Sequence, residues 1–143
     1  MTVGSEVIRC DSSYTMGIGH VSRCSALAVA MQREQLEPIF LCRSLPGDLR
    51  GHLAEQGFPV LTLETATDGD DAEQLAQVAK NRNAHWILLD HPELAFDYES
   101  RVASCSTSAL AVIDGQYRSH RCNLLINPTI HATPENCIAT VPS

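Results

Sequence analysis

Short, continuous apolar runs, each closed by a polar turn, constrain this chain most. They are Pro38-Ile39-Phe40-Leu41-Cys42, Ala84-His85-Trp86-Ile87-Leu88-Leu89-Asp90, Leu110-Ala111-Val112-Ile113-Asp114-Gly115 and Asn123-Leu124-Leu125-Ile126-Asn127-Pro128. A run that is apolar throughout, rather than at alternate positions, marks a strand covered on both faces, as in a parallel sheet. Stretches of helical period separate these runs, and strands alternating with helices build right-handed βαβ units. The reading is an α/β fold: a three-layer Rossmann-like domain with a mostly parallel sheet of about six strands.

In chain order, Ser5 to Cys10 reads as the first strand. From His20 to Gln35, Val21, Cys24, Leu27, Ala28 and Met31 fall on one helical stripe, with Arg23 and Arg33 off it. Pro46-Gly47-Asp48 opens a second helix with Leu49 and Leu53 facing inward and His52 either inward or, as a helix-surface or boundary residue, outside, closed by Gly57. Phe58 to Leu63 is a third strand, Thr65 to Asp71 an acidic loop ending in an N-cap, and Ala72 to Lys80 a helix turning Leu75, Ala76 and Ala79 inward. Phe96 to Ser104 reads as a helix, and Arg118 to Arg121 as a short basic crossover. The expected organisation is one domain over residues 1–128 and a tail over 129–143, a loop or partner-docking segment.

Composition narrows the function classes. At 143 residues the length suits one domain with a real core. A formal charge of −7 argues against a nucleic-acid or anionic-membrane surface. Cys10, Cys24, Cys42, Cys105, Cys122 and Cys137 form no Cys-x-x-Cys pair, so neither a zinc site nor a redox motif is expected, and no metal or cofactor is called for. With no secretory signal and no run of membrane-spanning length, the expected location is the cytoplasm.

The stretch Val7 to Ala30 joins a strand to a helix through a polar loop and two glycines, Gly17 and Gly19. Glycine permits positive φ and close approach of a ligand, and the following helix start offers free N–H groups to a phosphate or carboxylate. Equally, such glycines serve a packed βα turn. The dinucleotide fingerprint is broken, because Ser22 stands in place of the third glycine, and no Gly-Lys-Ser/Thr follows for a Walker loop. His20 falls at the helix mouth, where the dipole disfavours an imidazolium and leaves a ring able to accept a proton.

In open parallel sheets, ligands sit beyond the carboxyl ends of the strands, where strand order reverses. The polar groups expected on that rim are Asp11, Ser12, Gly17, Gly19, His20, Arg43, Asp90, His91, Asp114 and Asn127. Acids ending parallel strands also form turns, and that reading of Asp90 and Asp114 stands beside the functional one.

Ile8-Arg9-Cys10-Asp11-Ser12-Ser13, and then Met-Gly-x-Gly-His-Val-x-Arg-Cys-x-x-Leu-Ala from Met16 to Ala28, resemble the start of the PseG-type nucleotide-sugar hydrolases of pseudaminic acid synthesis. Phe40-Leu41-Cys42-Arg43, Trp86 to His91, Val112-Ile113-Asp114 and His120 to Asn127 resemble the same family in the same order. The resemblance implies one half of a GT-B fold and a reaction in which water displaces UDP from a deoxy-aminosugar. It implies His20 as the catalytic group, acting at the water or the leaving group. The implied substrate-binding set is Asp11, Ser12, Gly17, Gly19, Arg23, Asp90, His91 and Asp114. In it, Asp11 orients the loop or holds the sugar, and Arg23 pairs with Asp11 or neutralises a phosphate.

Three departures qualify the transfer. The family has two domains, and this chain matches what looks like the first. Pro92 stands where the family often has tyrosine, and Asp114-Gly115 where it tends to pair acids. The expected activity is therefore that of a half-enzyme, with a UDP-sugar as ligand and a complementary C-terminal domain or a homodimer mate as partner. Two alternatives stay open: a non-catalytic sugar or nucleotide-sugar binding module, and a glycosyltransferase half in which His20 deprotonates an acceptor hydroxyl.

Overall fold

A computed structural model describes residues 5–140. The elements run β1 (Ser5–Cys10), α1 (Gly19–Arg33), β2 (Glu37–Arg43), α2 (Arg50–Glu55), β3 (Val60–Leu63), α3 (Asp68–Asn81), β4 (Trp86–Asp90), α4 (Phe96–Cys105), β5 (Ala109–Ile113), β6 (Ser119–Arg121), β7 (Leu124–Ile126) and β8 (Ile138–Thr140). Six strands form one sheet in the order β3-β2-β1-β4-β5-β7, every pair parallel. This is the expected Rossmann-like arrangement. Strand order reverses between β1 and β4, which pair directly from Val7↔Ile87 to Cys10↔Asp90.

The continuous apolar runs divide their side chains between two cores by strict alternation. Val7, Ile39, Leu41, Ile87, Leu89, Leu110 and Val112 join Ala72, Leu75 and Ala79 of α3 and Tyr98 and Val102 of α4. Ile8, Phe40, Cys42, Leu88, Ala111 and Ile113 face the other way, onto Val21, Cys24 and Ala28 of α1 and Leu53 of α2. Helices therefore cover both faces, which is why the central runs are apolar on both sides. The predicted stripe of α1 is observed, with Leu27 and Met31 half-buried at its margin.

Three local expectations are corrected and one open choice is decided. The acidic stretch before Ala72 is not loop: α3 begins at Asp68, with Thr67 as N-cap accepting the Asp70 amide at 3.1 Å. Carboxylates in a first turn complement the helix dipole, so the acidity that reads as a loop is a helix-start signal. His52 is exposed, which leaves the surface reading of its two. The basic crossover is a strand, β6, and the tail is not loop throughout: it makes one 3-10 turn (Pro134–Asn136) and then β8, which lies parallel to β6. Three-residue strands show no period, and β6 owes its place to buried polar contacts of His120 rather than to apolar side chains. The opening of the chain (1–4) and the end of the tail (141–143) lie outside the described residues. Among the described residues, no helix is long and apolar enough to cross a membrane.

Candidate active site

The loop from β1 to α1 is held by its own backbone. The Gly17 amide donates to Ser13 O at 2.8 Å and the Met16 amide to Ser13 Oγ at 2.8 Å. Gly17 sits at φ +84°, in the left-handed region, and a Cβ there would meet nothing within 4 Å. Gly19 has no positive φ, but the space over it is equally open. Ser12 is buried, and its Oγ accepts the Leu49 amide at 2.8 Å, tying the loop to the start of α2. Helix α1 begins after Ile18 with no side-chain cap, and its first internal bond runs from the Ser22 amide to Ile18 O at 2.9 Å. The amides of Gly19, His20 and Val21 thus open the positive end of the helix toward the rim.

Asp90, at the end of β4, gathers three side chains of α1. His20 Nδ1 lies 2.6 Å from its Oδ1, Arg23 donates Nη2–H to Oδ1 at 2.6 Å and Nε–H to Oδ2 at 2.7 Å, and Cys24 Sγ approaches Oδ2 at 3.7 Å. Burial works against ionising Asp90, yet the hydrogen bonds from His20 and Arg23 outweigh it and hold the carboxyl below its usual range. An ionised Asp90 accepts the Nδ1–H of His20, which leaves the lone pair of the ring on Nε2. No hydrogen bond takes Nε2 among the described residues. It is thus a carboxylate partner, more than the helix dipole alone, that sets the tautomer.

His20 and Arg23 line a cleft of about 190 Å³ with His91, Pro92, Asp114 and Arg118. Its walls are the loops after β4 and β5, so it opens beside the point where strand order reverses. A larger depression, about 600 Å³, lies among Ser5, Gln32, Leu36, Pro38 and Arg82 at the opposite end of the strands, and no histidine lines it.

Other rim residues have internal partners. Asp11 is buried and takes Arg9 Nη2–H at 3.0 Å, His91 Nε2–H at 2.8 Å and the Arg43 amide at 2.7 Å. Burial opposes its ionisation, but His91 and Arg9 hold the carboxyl far below the usual range. His91 accepts the Glu93 amide on Nδ1 at 3.1 Å, which is why its hydrogen sits on Nε2. Arg23 pairs with Asp90, not with Asp11. Arg43 turns away to Asp71 and Asp68, and Asn127 Oδ1 accepts the Thr129 amide at 3.0 Å.

Asp114 is both a turn former and part of the cleft wall. Its carboxylate accepts the amides of Gln116 at 3.0 Å and Arg118 at 3.2 Å, and the Arg118 guanidinium at 3.3 Å. Arg118 also donates to the carbonyls of Pro92 at 2.7 Å and His91 at 3.0 Å, bridging the two loops. Beneath Asp114, His120 places Nε2 2.6 Å from Asp114 Oδ2 and Nδ1 2.6 Å from Glu99 Oε2.

Sequence reasoning passed over Arg9, Asp71, Glu99 and Arg118. Arg9 gave a usable signal, a cation inside an otherwise apolar strand, which demands buried carboxylates; it found Asp71 at 2.8 Å and Asp11. Nothing local marks the others.

No protein-family model matches the chain. Among curated proteins it is similar to the UDP-2,4-diacetamido-2,4,6-trideoxy-beta-L-altropyranose hydrolase of Campylobacter jejuni, with 24% identity over 136 residues, covering 95% of this chain and 46% of that protein. The chain spans about half the length of the curated relative it matches. Its resemblance to part of a UDP-sugar hydrolase therefore runs through nearly all of it.

Proposed function

We propose that this chain is the water-activating half of a nucleotide-sugar hydrolase that releases UDP from a UDP-deoxyaminosugar. The observation that carries the reading is the His20–Asp90 pair, 2.6 Å apart at the reversal of strand order, with Nε2 unclaimed beside an open cleft. The similarity to a UDP-sugar hydrolase over nearly the whole chain supports the substrate class.

In this reading the oxygen of a water forms a bond to the sugar carbon that carries the nucleotide. The bond from that carbon to the phosphate oxygen breaks, and UDP leaves with the electron pair. His20 Nε2 takes the proton of the attacking water, and Asp90 both aims the ring and stabilises the imidazolium that forms. Arg23 places a cation at the cleft, and the free amides at the start of α1 add a positive field where charge grows on the departing diphosphate. Gly17 and Gly19 leave room for the ligand to come close. The remaining grip on the nucleotide falls to a complementary domain, in the same chain or a partner, since catalysis needs a substrate held in register with His20.

The test is UDP release from a UDP-deoxyaminosugar, by the chain alone and with the complementary part of the hydrolase supplied in trans. Release is expected, and His20→Ala should abolish it while leaving most of the ligand-induced rise in melting temperature. No release under either condition, with that rise intact, would replace this reading with a non-catalytic binding module.

A further inference from the structure

The wall of the cleft facing His20 stands on a row of alternating charges, three of them buried and the fourth partly exposed, that the proposed chemistry does not use. Glu99 of α4 comes first, then His120 of β6, then Asp114 after β5, then Arg118, whose guanidinium reaches the carbonyls of His91 and Pro92. His120 is 1% exposed and Glu99 is wholly buried. Each ring nitrogen of His120 lies 2.6 Å from a carboxylate oxygen. An ionised carboxylate only accepts, so between two such groups both nitrogens donate, and a ring that donates twice is an imidazolium. Two anions and two cations then alternate, and the row is neutral, which is the condition for keeping such groups out of water.

We infer that His120 is a positioning residue for the cleft: its imidazolium holds Asp114 in place, and through Asp114 it holds Arg118 against the carbonyls of His91 and Pro92. The kinetic part of this inference rests on the hydrolase reading; the positional part does not.

The surroundings of His120 favour the charged ring. From α4 comes Glu99, whose second oxygen accepts the Arg121 amide at 2.6 Å. From the loop after β5 come Asp114 and Arg118. The nearby thiol of Cys122 is pushed up to about 11 by burial and so carries no charge near neutrality. Strand β8 sets Ala139 opposite His120 and brings no charge at that register. Burial opposes protonation, but Glu99 and Asp114 outweigh it and hold the ring above its ordinary value. When the proton finally leaves, one ring nitrogen becomes an acceptor facing a carboxylate, and the repulsion loosens Asp114 and the wall that depends on it.

Glu99→Gln separates this role from mere packing. The amide oxygen can still accept the Arg121 amide, while its NH₂ can donate to His120 Nδ1, so the shape is kept and the charge that holds the proton is lost. Nitrogen-detected NMR of the full chain is expected to show both His120 nitrogens protonated at neutral pH. The amides of His91, Gly115 and Gln116 are expected to report the same midpoint as the ring. In Glu99→Gln that shared midpoint should fall by roughly one to three pH units, and the alkaline decline of UDP release should move with it. A singly protonated His120 at neutral pH in the unmodified chain, or loop amides indifferent to its titration, would overturn the inference. If the coupled titration shifts as expected while UDP release is absent at every pH, the positioning role stands and the hydrolase reading falls.

Discussion

Arg9 stands where the alternation of β1 calls for an apolar side chain facing α3, and the chain meets the demand with charge instead. Its guanidinium is wholly buried between Asp71, at 2.8 Å and 3.0 Å, and Asp11. Asp11 in turn holds His91, so Arg9, which does not line the cleft, helps to fix a side chain of its wall. Asp90 plays the corresponding part for His20. Three groups of α1 converge on it, and its contact with Nδ1 selects the tautomer of His20. Asp90→Asn keeps the volume but removes the anion, leaving Arg23 without its counter-charge and His20 free to present either nitrogen. UDP release should fall roughly 10²–10⁴-fold, the usual worth of a positioned general base, with a smaller change in substrate affinity. Steady-state kinetics would show the loss in kcat; a loss confined to KM would put Asp90 in binding alone.

At the scale of elements, α3 shows how a helix is started and where it is docked by different residues. Thr67 caps it from an exposed position, whereas Asp71, one turn in, is buried and receives Arg9, Arg43 and Tyr98. Burial opposes ionisation of Asp71, but the Arg9 contacts prevail and hold it below the usual carboxylate range. The two substitutions should therefore differ in size. Thr67→Ala should cost about 1 kcal/mol, the worth of an N-cap, and Asp71→Asn about 3–5 kcal/mol, because it leaves a buried guanidinium short of its counter-charge. Urea titrations of the two variants check this; equal costs would mean that Arg9 is satisfied by Asp11 alone. Helix α1 is built on the opposite plan, with no side-chain cap at all, which leaves its first amides without a capping side chain.

For the whole molecule, the same ion pairs set how stability follows pH. Asp11, Asp71, Asp90 and Asp114 are all held below their ordinary value in the folded chain. The unfolded chain therefore takes up protons first in acid. The stability these groups contribute is complete above about pH 4, the ordinary carboxylate value, and drains away as pH falls through the lower folded values. His120 acts in the other direction: held above its ordinary value, it contributes fully below about pH 6.5 and loses that contribution as pH rises through the folded value. The midpoint of urea unfolding should drop steeply below pH 4 and more gently on the alkaline side. Asp71→Asn should flatten the acid limb, and an acid limb of unchanged slope in that variant would show that these carboxylates do not govern it.

The architecture was legible because it follows from short-range pattern: continuous apolar runs need cover on both faces, and the turns and helices between them leave a parallel sheet as the arrangement that supplies it. His20, Gly17 and the acid at Asp90 were legible for the same reason, since strand-end and helix-start positions are set by local sequence and topology brings them to one rim. What local pattern could not decide was who meets whom. Asp11 and Asp90 look alike as acids closing neighbouring strands, yet one is consumed by Arg9 and His91 and the other is turned to His20 and Arg23. Glu99 and His120, 21 positions apart, become one hydrogen-bonded pair only when α4 and β6 are brought together. Burial makes charge pairing compulsory, and only the tertiary structure can choose the partners, because the choice depends on distances that no spacing along the chain encodes.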